Sequence, residues 1–199
     1  MRIPVVHVPP TTSAVPLQYL KRHLRLVVSD DDEFTEEDAL LEKMAMAATQ
    51  EYEDTYKVTL VKTGLQWDFE RFQRKMELPR PPLFEVEEIA YIDSHGAAQT
   101  VGPDNYRVVT ATAPGYVLFN TDFSPDLDPS HPYPVSVKYT AGSDTVDESI
   151  QIYIANIVGT LYNIRESVLV GYGAGISVHD LRKNMAGLIK GKPKALRFG

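Results

Sequence analysis

The sequence contains no cysteine, which excludes disulfide bonds, thiolate metal sites and cysteine nucleophiles. No apolar run reaches the ~18 residues that a membrane-spanning helix needs. The first ten residues hold one arginine and no long apolar run, so they predict no signal peptide. The chain has 199 residues, which predicts one domain or one domain plus appendages, and its hydrophobic share of 43% is enough to build a core.

Motifs that carry chemistry are also missing. The five histidines form no HxxxH or HExxH pair: His7, His23, His95, His131 and His179. The acidic run at residues 30–33 lacks the spacing of a calcium loop. Gly171, Gly173 and Gly175 follow a predicted helix without the lysine of a phosphate-binding loop, which favours a hinge. No serine lies in a GxSxG elbow. The sequence therefore predicts no enzyme, no metal site and no cofactor.

Charge is distributed unevenly along the chain, whose net charge is −7. Residues 1–170 carry 14 Lys and Arg against 26 Asp and Glu, a net charge of −12. Residues 171–199 carry one acidic residue against six basic ones: Arg182, Lys183, Lys190, Lys192, Lys194 and Arg197. The basic tail either docks on an acidic partner or is a solvated segment, and charge alone leaves both interpretations open.

Residues 147–168 carry the strongest helical pattern. Large aliphatic residues recur there at intervals of three and four, the spacing of one helical face over about five turns: Ile150, Ile154, Ile157, Leu161, Ile164 and Val168. Thr145 and Glu148 have the spacing of a capping box at its start. Further apolar residues lie off this face: Ile152, Tyr153, Val158 and Tyr162. Such a helix is either central to a domain or shared between subunits.

The other segments predict an α+β fold. Residues 1–14 are proline-rich and read as an extended arm, ordered only if something holds it. Helices are predicted at 16–28 and 35–56, the second capped by Thr35, with Leu41, Ala45, Ala48, Tyr52 and Tyr56 as its buried face. Between 57 and 142 the period changes to two, which predicts an inserted antiparallel sheet beginning with a strand pair interrupted near Gly64. Residues 171–199 are predicted to form a glycine hinge, a short helix and the basic tail.

Several short segments, in this order, resemble one known family. They are Pro16-Leu17-x-x-Leu20-Lys21-x-His23-Leu24-Arg25, Asp38-Ala39-Leu40-Leu41, Trp67, Leu78-Pro79-Arg80-Pro81-Pro82-Leu83, Tyr91-Ile92-Asp93 with Gly96, Tyr106-Arg107-Val108, Val137-x-Tyr139-Thr140-Ala141-Gly142 and Tyr162-x-x-Arg165-Glu166. Over residues 15–168 the chain resembles the head–tail connector (adaptor) proteins of long-tailed double-stranded-DNA phages, prophages and gene transfer agents. It departs from that pattern at Val146-Asp147, where the family has a proline.

The resemblance implies a structural virion protein. Its family forms a ring, dodecameric in the particle, beneath the portal protein. The ring extends the DNA channel, contacts a stopper or tail-completion protein, and is assembled in the bacterial cytoplasm. For this chain, 15–170 would then be the connector domain. The basic residues of the tail become candidates for portal docking, and the sheet loops, the long loop at 120–134 among them, become candidates for the tail-side contact. DNA would pass without specific binding, and no membrane is involved.

The excess apolar surface of the 147–168 helix then acquires a role. Ile152, Tyr153, Val158 and Tyr162 are predicted to contact a neighbouring subunit, while the Ile150–Val168 face packs on the 35–56 helix. Ile154→Asp should unfold the chain, whereas Tyr153→Asp should spare the fold and impair assembly. Two alternatives stay open: a DNA-binding or DNA-packaging accessory protein, suggested by the tail, and a small enzyme without a recognisable motif.

Overall fold

The computed structural model describes residues 3–27 and 35–167. The helices in these residues are α1 (Leu17–His23), α2 (Asp38–Tyr56) and α3 (Glu148–Ser167). The strands are β1 (Val5–Val8), β2 (Thr63–Phe69), β3 (Lys75–Glu77), β4 (Leu83–Ile92), β5 (Ala98–Thr100), β6 (Tyr106–Val109), β7 (Tyr116–Phe119) and β8 (Val135–Ala141). A short 3-10 helix, Pro103–Asn105, precedes β6. The α+β fold class is confirmed.

The strands between α2 and α3 contribute to two sheets. One sheet has five strands in the order β1-β2-β8-β4-β5, and the other has three in the order β3-β7-β6. Every pairing between named strands is antiparallel. In the central strand β8, Val135, Val137, Tyr139 and Ala141 are all buried and alternate with half-buried residues. This period of two is what a strand covered on one face requires.

The helices enclose a separate core. The buried face of α2 contains Leu41, Ala45, Ala48 and Tyr52, with Tyr56 packed beside it, as predicted. Residues of α3 belong to the same buried cluster. The ring of Tyr52, near the end of α2, contacts the ring of Tyr153, near the start of α3, at 5.5 Å between centroids. Near the start of α2, Lys21 and Asp38 form an ion pair at 2.6 Å that joins α1 to α2.

The predicted helix starts are wrong in two places. Helix α2 begins at Asp38 rather than beside Thr35, and no side chain caps it. Helix α3 is capped by Asp147 rather than by Thr145, because the Asp147 carboxylate accepts the backbone N–H of Ser149 at 2.8 Å. The Ser149 hydroxyl also donates to this carboxylate, at 2.5 Å. These hydrogen bonds lower the pKa of Asp147 below its usual value. Glu148 is instead the first residue of the helix.

The N-terminal arm is held by the sheet. Strand β1 pairs with β2 at the edge of the five-stranded sheet, with Val6 opposite Leu65 and Val8 opposite Gly64. A Cβ atom on Gly64 would lie 2.7 Å from the Cβ of Val8 and 2.9 Å from the His7 ring. Glycine is therefore required at position 64 for the arm to lie against the sheet. Strand β2 runs through Gly64, so the predicted interruption there is wrong.

Gly64→Leu is expected to detach the arm while leaving both cores folded. The added side chain collides with β1, and β1 is the element that can move, because its side chains are mostly exposed. Limited proteolysis should cut within residues 1–13 much faster in the variant, while the far-ultraviolet circular dichroism of the two proteins stays similar. Equal cleavage rates would contradict this view of the arm.

Candidate assembly surfaces

Within residues 3–27 and 35–167, no group of three or more His, Asp or Glu side chains is arranged to hold a metal ion. No helix in this part of the chain is long and apolar enough to cross a membrane. The conspicuous features are instead surfaces. Two of them present exposed apolar side chains, one on α3 and one between the arm and α2.

The first surface is the outward face of α3. Residues 149–164 contain no charged side chain, although 24% of the whole chain is charged. The side chains on the outward face recur at helical spacing, and we call this face the α3 ridge: Ser149, Ile152, Asn156, Thr160 and Asn163. Ile152 is 49% exposed on it. Depletion of charge and exposed aliphatic surface are features of the centre of a protein–protein interface.

The four residues predicted to contact a neighbouring subunit do not share one surface. Ile152 is exposed on the α3 ridge. Tyr153 is half-buried against Tyr52. Val158 is fully buried in the helical core, so it has no surface to offer a partner and leaves the predicted set. The Tyr162 hydroxyl donates a hydrogen bond to the Glu37 carboxylate and ties the end of α3 to the start of α2.

The reason lies in what surrounds α3. Helix α2 covers one side of it, and α1 covers another: a Cβ on Gly159 would lie 3.5 Å from the Leu24 side chain. Two neighbouring helices require an apolar surface wider than the stripe that a single neighbour needs. The structure therefore accounts for most of the off-stripe apolar residues within one copy of the chain. Ile152 is the exception.

The second surface is a groove of about 960 Å³ between the N-terminal arm, the start of α1 and the outer face of α2. We call it the arm groove. Three large exposed hydrophobic side chains line it: Ile3 and Val6 from the arm, and Met46 from α2, which is 64% exposed. Glu53, Asp54 and Arg80 also line it.

The polar part of the arm groove is built around Arg80. Its backbone has a φ of 64°, and its guanidinium donates to the Asp54 carboxylate at 2.5 Å and to the Val58 carbonyl at 3.3 Å. The Glu53 carboxylate accepts the backbone N–H of Leu60 at 2.7 Å. Burial raises the pKa of Glu53 above its usual value, although the Leu60 hydrogen bond and nearby Arg80 oppose this. These contacts hold in place the segment that connects the end of α2 to the sheet.

Glu53→Gln is expected to change the pH dependence of stability. Since the folded-state pKa of Glu53 is raised, folding is favoured when the carboxyl is protonated. This contribution is complete below the unfolded-state pKa and is lost as the pH rises through the folded-state pKa. Glutamine keeps an oxygen for the Leu60 N–H but cannot titrate. As the pH falls from neutral toward 4, the melting temperature of the natural chain should therefore rise relative to that of the variant.

The matched control is Glu42→Gln, which removes an exposed carboxylate of the same helix and the same groove. Its melting temperature should follow that of the natural chain across the pH series more closely than that of Glu53→Gln does. Parallel curves for Glu53→Gln and the natural chain would show that burial of Glu53 has no energetic consequence.

The remaining predicted sites are placed as follows. The six basic residues proposed for portal docking lie outside the described residues: Arg182, Lys183, Lys190, Lys192, Lys194 and Arg197. The loop between β7 and β8 is attached to the end of β4, because the Asp128 N–H donates to the Ile92 carbonyl at 3.1 Å. Hydrogen bonds from Ser130 lower the pKa of Asp128. This loop contains Asp122, Asp126 and Asp128, of which Asp128 lies at the end of β4.

Comparison with known proteins gives matches in fold alone. No family model matches the chain, and no curated protein matches it. Among solved structures, a chain from the neck of an empty gene transfer agent particle, computed with C6 symmetry, has a TM-score of 0.66 at 22% identity, covering 93% of this chain and 94% of that one. The protein shares the fold of that neck chain.

Two further structures agree. A chain from the virion of a native gene transfer agent particle has a TM-score of 0.64 at 20% identity, over 90% of this chain and 94% of that one. A chain from the neck of a native particle, computed with C12 symmetry, has a TM-score of 0.63 at 20% identity, over 93% of this chain and 94% of that one. The likeness thus spans nearly the whole of each chain and includes the helices as well as the inserted sheets.

Proposed function

We propose that the chain is a structural protein of the neck of a tailed phage or phage-like particle. In this role it is the head–tail adaptor, which forms a ring beneath the portal, extends the DNA channel and joins the head to the stopper or tail. The observation that carries the proposal is the shared fold with a particle-neck chain over 93% of this chain and 94% of that one. The order of the sequence segments described above points to the same role independently.

The ring has support of its own. The neck structures with this fold were computed with C6 and C12 symmetry, which fits a ring of twelve copies. Residues 1–170 carry a net charge of −12. An acidic wall repels the phosphate backbone and lets DNA slide through without being retained. The activity is mechanical, and the proposed role calls for no catalysis and no cofactor.

The partners follow from position in the neck. The basic tail, residues 171–199 with a net charge of +5, is proposed to dock on the portal protein. The sheet loops, including the acidic loop between β7 and β8, are proposed to meet the stopper or tail-completion protein. The chain would then reside in the virion neck after assembly in the bacterial cytoplasm.

Deleting the gene in the strain that carries it tests this role. We expect filled heads without tails, and normal tailed particles when the full-length gene is restored. Restoring a gene that lacks codons 172–199 should leave the heads unattached, because the tail is the proposed portal contact. Electron microscopy and a count of tailed particles provide the measurement. Normal tailed particles from the deletion strain would refute the adaptor role, whereas normal particles from the truncated gene alone would refute only the tail docking.

A DNA-binding accessory protein is the second candidate, and the basic tail is the observation that favours it. Phosphate contacts made by the six basic residues would be strongly weakened by salt. Retention of DNA by the purified chain at low salt, and its loss at high salt, would favour this candidate. The acidic body opposes it, and we expect no retention at physiological salt.

A further inference from the structure

A closed ring places a structural demand on each copy. In a ring of more than two copies the contacts are heterologous, so one surface of each copy meets a different surface of the next. A single self-complementary patch would give a dimer, to which no further copy could be added through the same contact. The chain must therefore display two surfaces that fit each other, and both must be left uncovered by its own fold.

The α3 ridge meets the first requirement. It is convex, because it is the outer face of a helix of about five turns, and it has no charged group that would need a partner or lose its hydration. Its exposed aliphatic residue, Ile152, lies between Ser149 and Asn156 on the same face. Small polar side chains on both sides would leave the isoleucine as the most prominent apolar feature of the ridge.

The arm groove meets the second requirement. It is concave, and its exposed apolar side chains come from two elements that approach each other: the arm, through Ile3 and Val6, and α2, through Met46. Its volume of about 960 Å³ exceeds that of one large side chain several-fold, so it would accept a short stretch of a helix face. No residue of α3 lines it, so ridge and groove are separate surfaces of the described chain.

We infer that the α3 ridge of one copy lies in the arm groove of the next, with Ile152 against Met46. The inference deepens the proposed function and rests on it. The same ridge-to-groove contact, repeated from copy to copy, gives a closed assembly only when the copies form a ring. It also assigns the arm a purpose: β1 holds Ile3 and Val6 at the groove instead of leaving them free in solution. The contact joins the uncharged α3 ridge to the exposed apolar side chains of the groove, and apolar contacts of this kind are typical of the centre of a stable interface.

Because the chain contains no cysteine, the contact can be tested by placing cysteines at will. Two single variants, Met46→Cys and Ile152→Cys, are produced together in the source strain, and isolated particles are treated with a short bismaleimide crosslinker. We expect a crosslinked pair that contains one chain of each variant. Each variant produced alone should give no crosslink, because the proposed contact joins position 46 of one copy to position 152 of the next and brings neither position close to its own counterpart. The double variant should give a ladder of covalently joined copies.

The matched control pairs Ile152→Cys with Ser94→Cys, which places the second cysteine in the exposed turn between β4 and β5, outside the groove. It should give no crosslink. Tailed particles without a 46–152 crosslink would overturn the inference and leave the adaptor role standing. Tailed particles formed without the gene would overturn both. A crosslink within one copy between Met46→Cys and Leu181→Cys, with no 46–152 pair, would assign the groove to the chain's own tail and overturn the inference as well.

Charge exchange provides a second readout. Ile152→Asp and Met46→Asp should each reduce the number of tailed particles by at least about tenfold, because a carboxylate would be buried without a partner in the interface. Combining Ile152→Asp with Met46→Lys should recover much of that loss, since the two charges would face each other across the contact. Equal defects in the single and combined variants would count against the pairing of these two residues.

Discussion

Ile154→Asp should abolish the folded state. Ile154 is fully buried in the helical core, in the cluster formed by α1, α2 and α3. The substitution removes the burial of a large aliphatic side chain and places a charge among the apolar side chains of that cluster, at a combined cost of about 3–5 kcal/mol or more. Because a domain is stabilised by about 5–15 kcal/mol in total, the variant should show a strongly reduced or absent cooperative transition in thermal unfolding followed by circular dichroism.

Ile152→Asp is the control, since it places the same charge two residues away on the same helix. Ile152 is 49% exposed, so the carboxylate remains hydrated and the free energy of unfolding should change by no more than about 0.5 kcal/mol. The variant should fold and fail in assembly. It replaces Tyr153→Asp as the test of the interface, because Tyr153 packs on Tyr52 and its loss would disturb the core. Similar unfolding of both variants would show that the outward face of α3 is not free in the single copy.

Gly142→Ala should be the second severe substitution. Gly142 follows β8 and has a φ of 100°, a conformation that side-chain-bearing residues rarely adopt. An added Cβ would lie 2.4 Å from the Val61 carbonyl oxygen and 2.5 Å from its carbonyl carbon. That carbonyl accepts the Thr63 hydroxyl at 2.8 Å, so the obstructing backbone is itself held in place. Strain and collision together should cost roughly 3 kcal/mol or more.

The measurement is the melting temperature, which should fall by roughly 6–12 °C for 3 kcal/mol in a domain of this size. Gly96→Ala is the control. Gly96 also has a positive φ, of 79°, but a Cβ there would meet nothing within 4 Å. It should cost only the conformational strain, about 1–2 kcal/mol. Equal losses in the two variants would show that the close approach of Val61 does not contribute.

Much of the helical core could be predicted from spacing alone. Leu41, Ala45, Ala48 and Tyr52 recur at intervals of three and four, and all four are buried on one face of α2. The alternation in β8 was equally informative, since Val137 and Tyr139 are buried with a half-buried residue between them. Both patterns work because each element buries one side against a single layer, which imposes the period of the element on its apolar residues.

The N-terminal strand shows where this reasoning stops. Most of the side chains of β1 are exposed, so its sequence has no alternation that would reveal a strand. What orders it is backbone pairing with β2 and the space left by Gly64. Such pairing leaves no periodic trace in the sequence. The arm that β1 holds against the sheet contributes Ile3 and Val6 to the arm groove, so the groove could not be predicted before the strand was placed.

The cap of α3 is a second example. Thr145 and Asp147 are both residue types that cap helices, and they lie two positions apart. Which of the two side chains accepts a free backbone N–H in the first turn of α3 depends on where the backbone turns after Gly142. The chain turns so that the Asp147 carboxylate reaches the Ser149 N–H. A motif with the right spacing was therefore assigned to the wrong residue.

By itself, the sequence determined the α+β class, the insertion of strands between α2 and α3, and the excess of apolar surface on α3. The order of several short segments also indicated a resemblance to neck proteins, and the likeness in fold to a chain from a particle neck agrees with that resemblance. Only the tertiary structure decided which apolar residues remain outside. Val158 and Ile152 are both aliphatic residues off the main stripe, yet one is fully buried and the other is half exposed. The physical reason is that helical spacing shows which residues are apolar and on which face they lie. Which of these residues the chain itself covers depends on where α1 and α2 pack against α3.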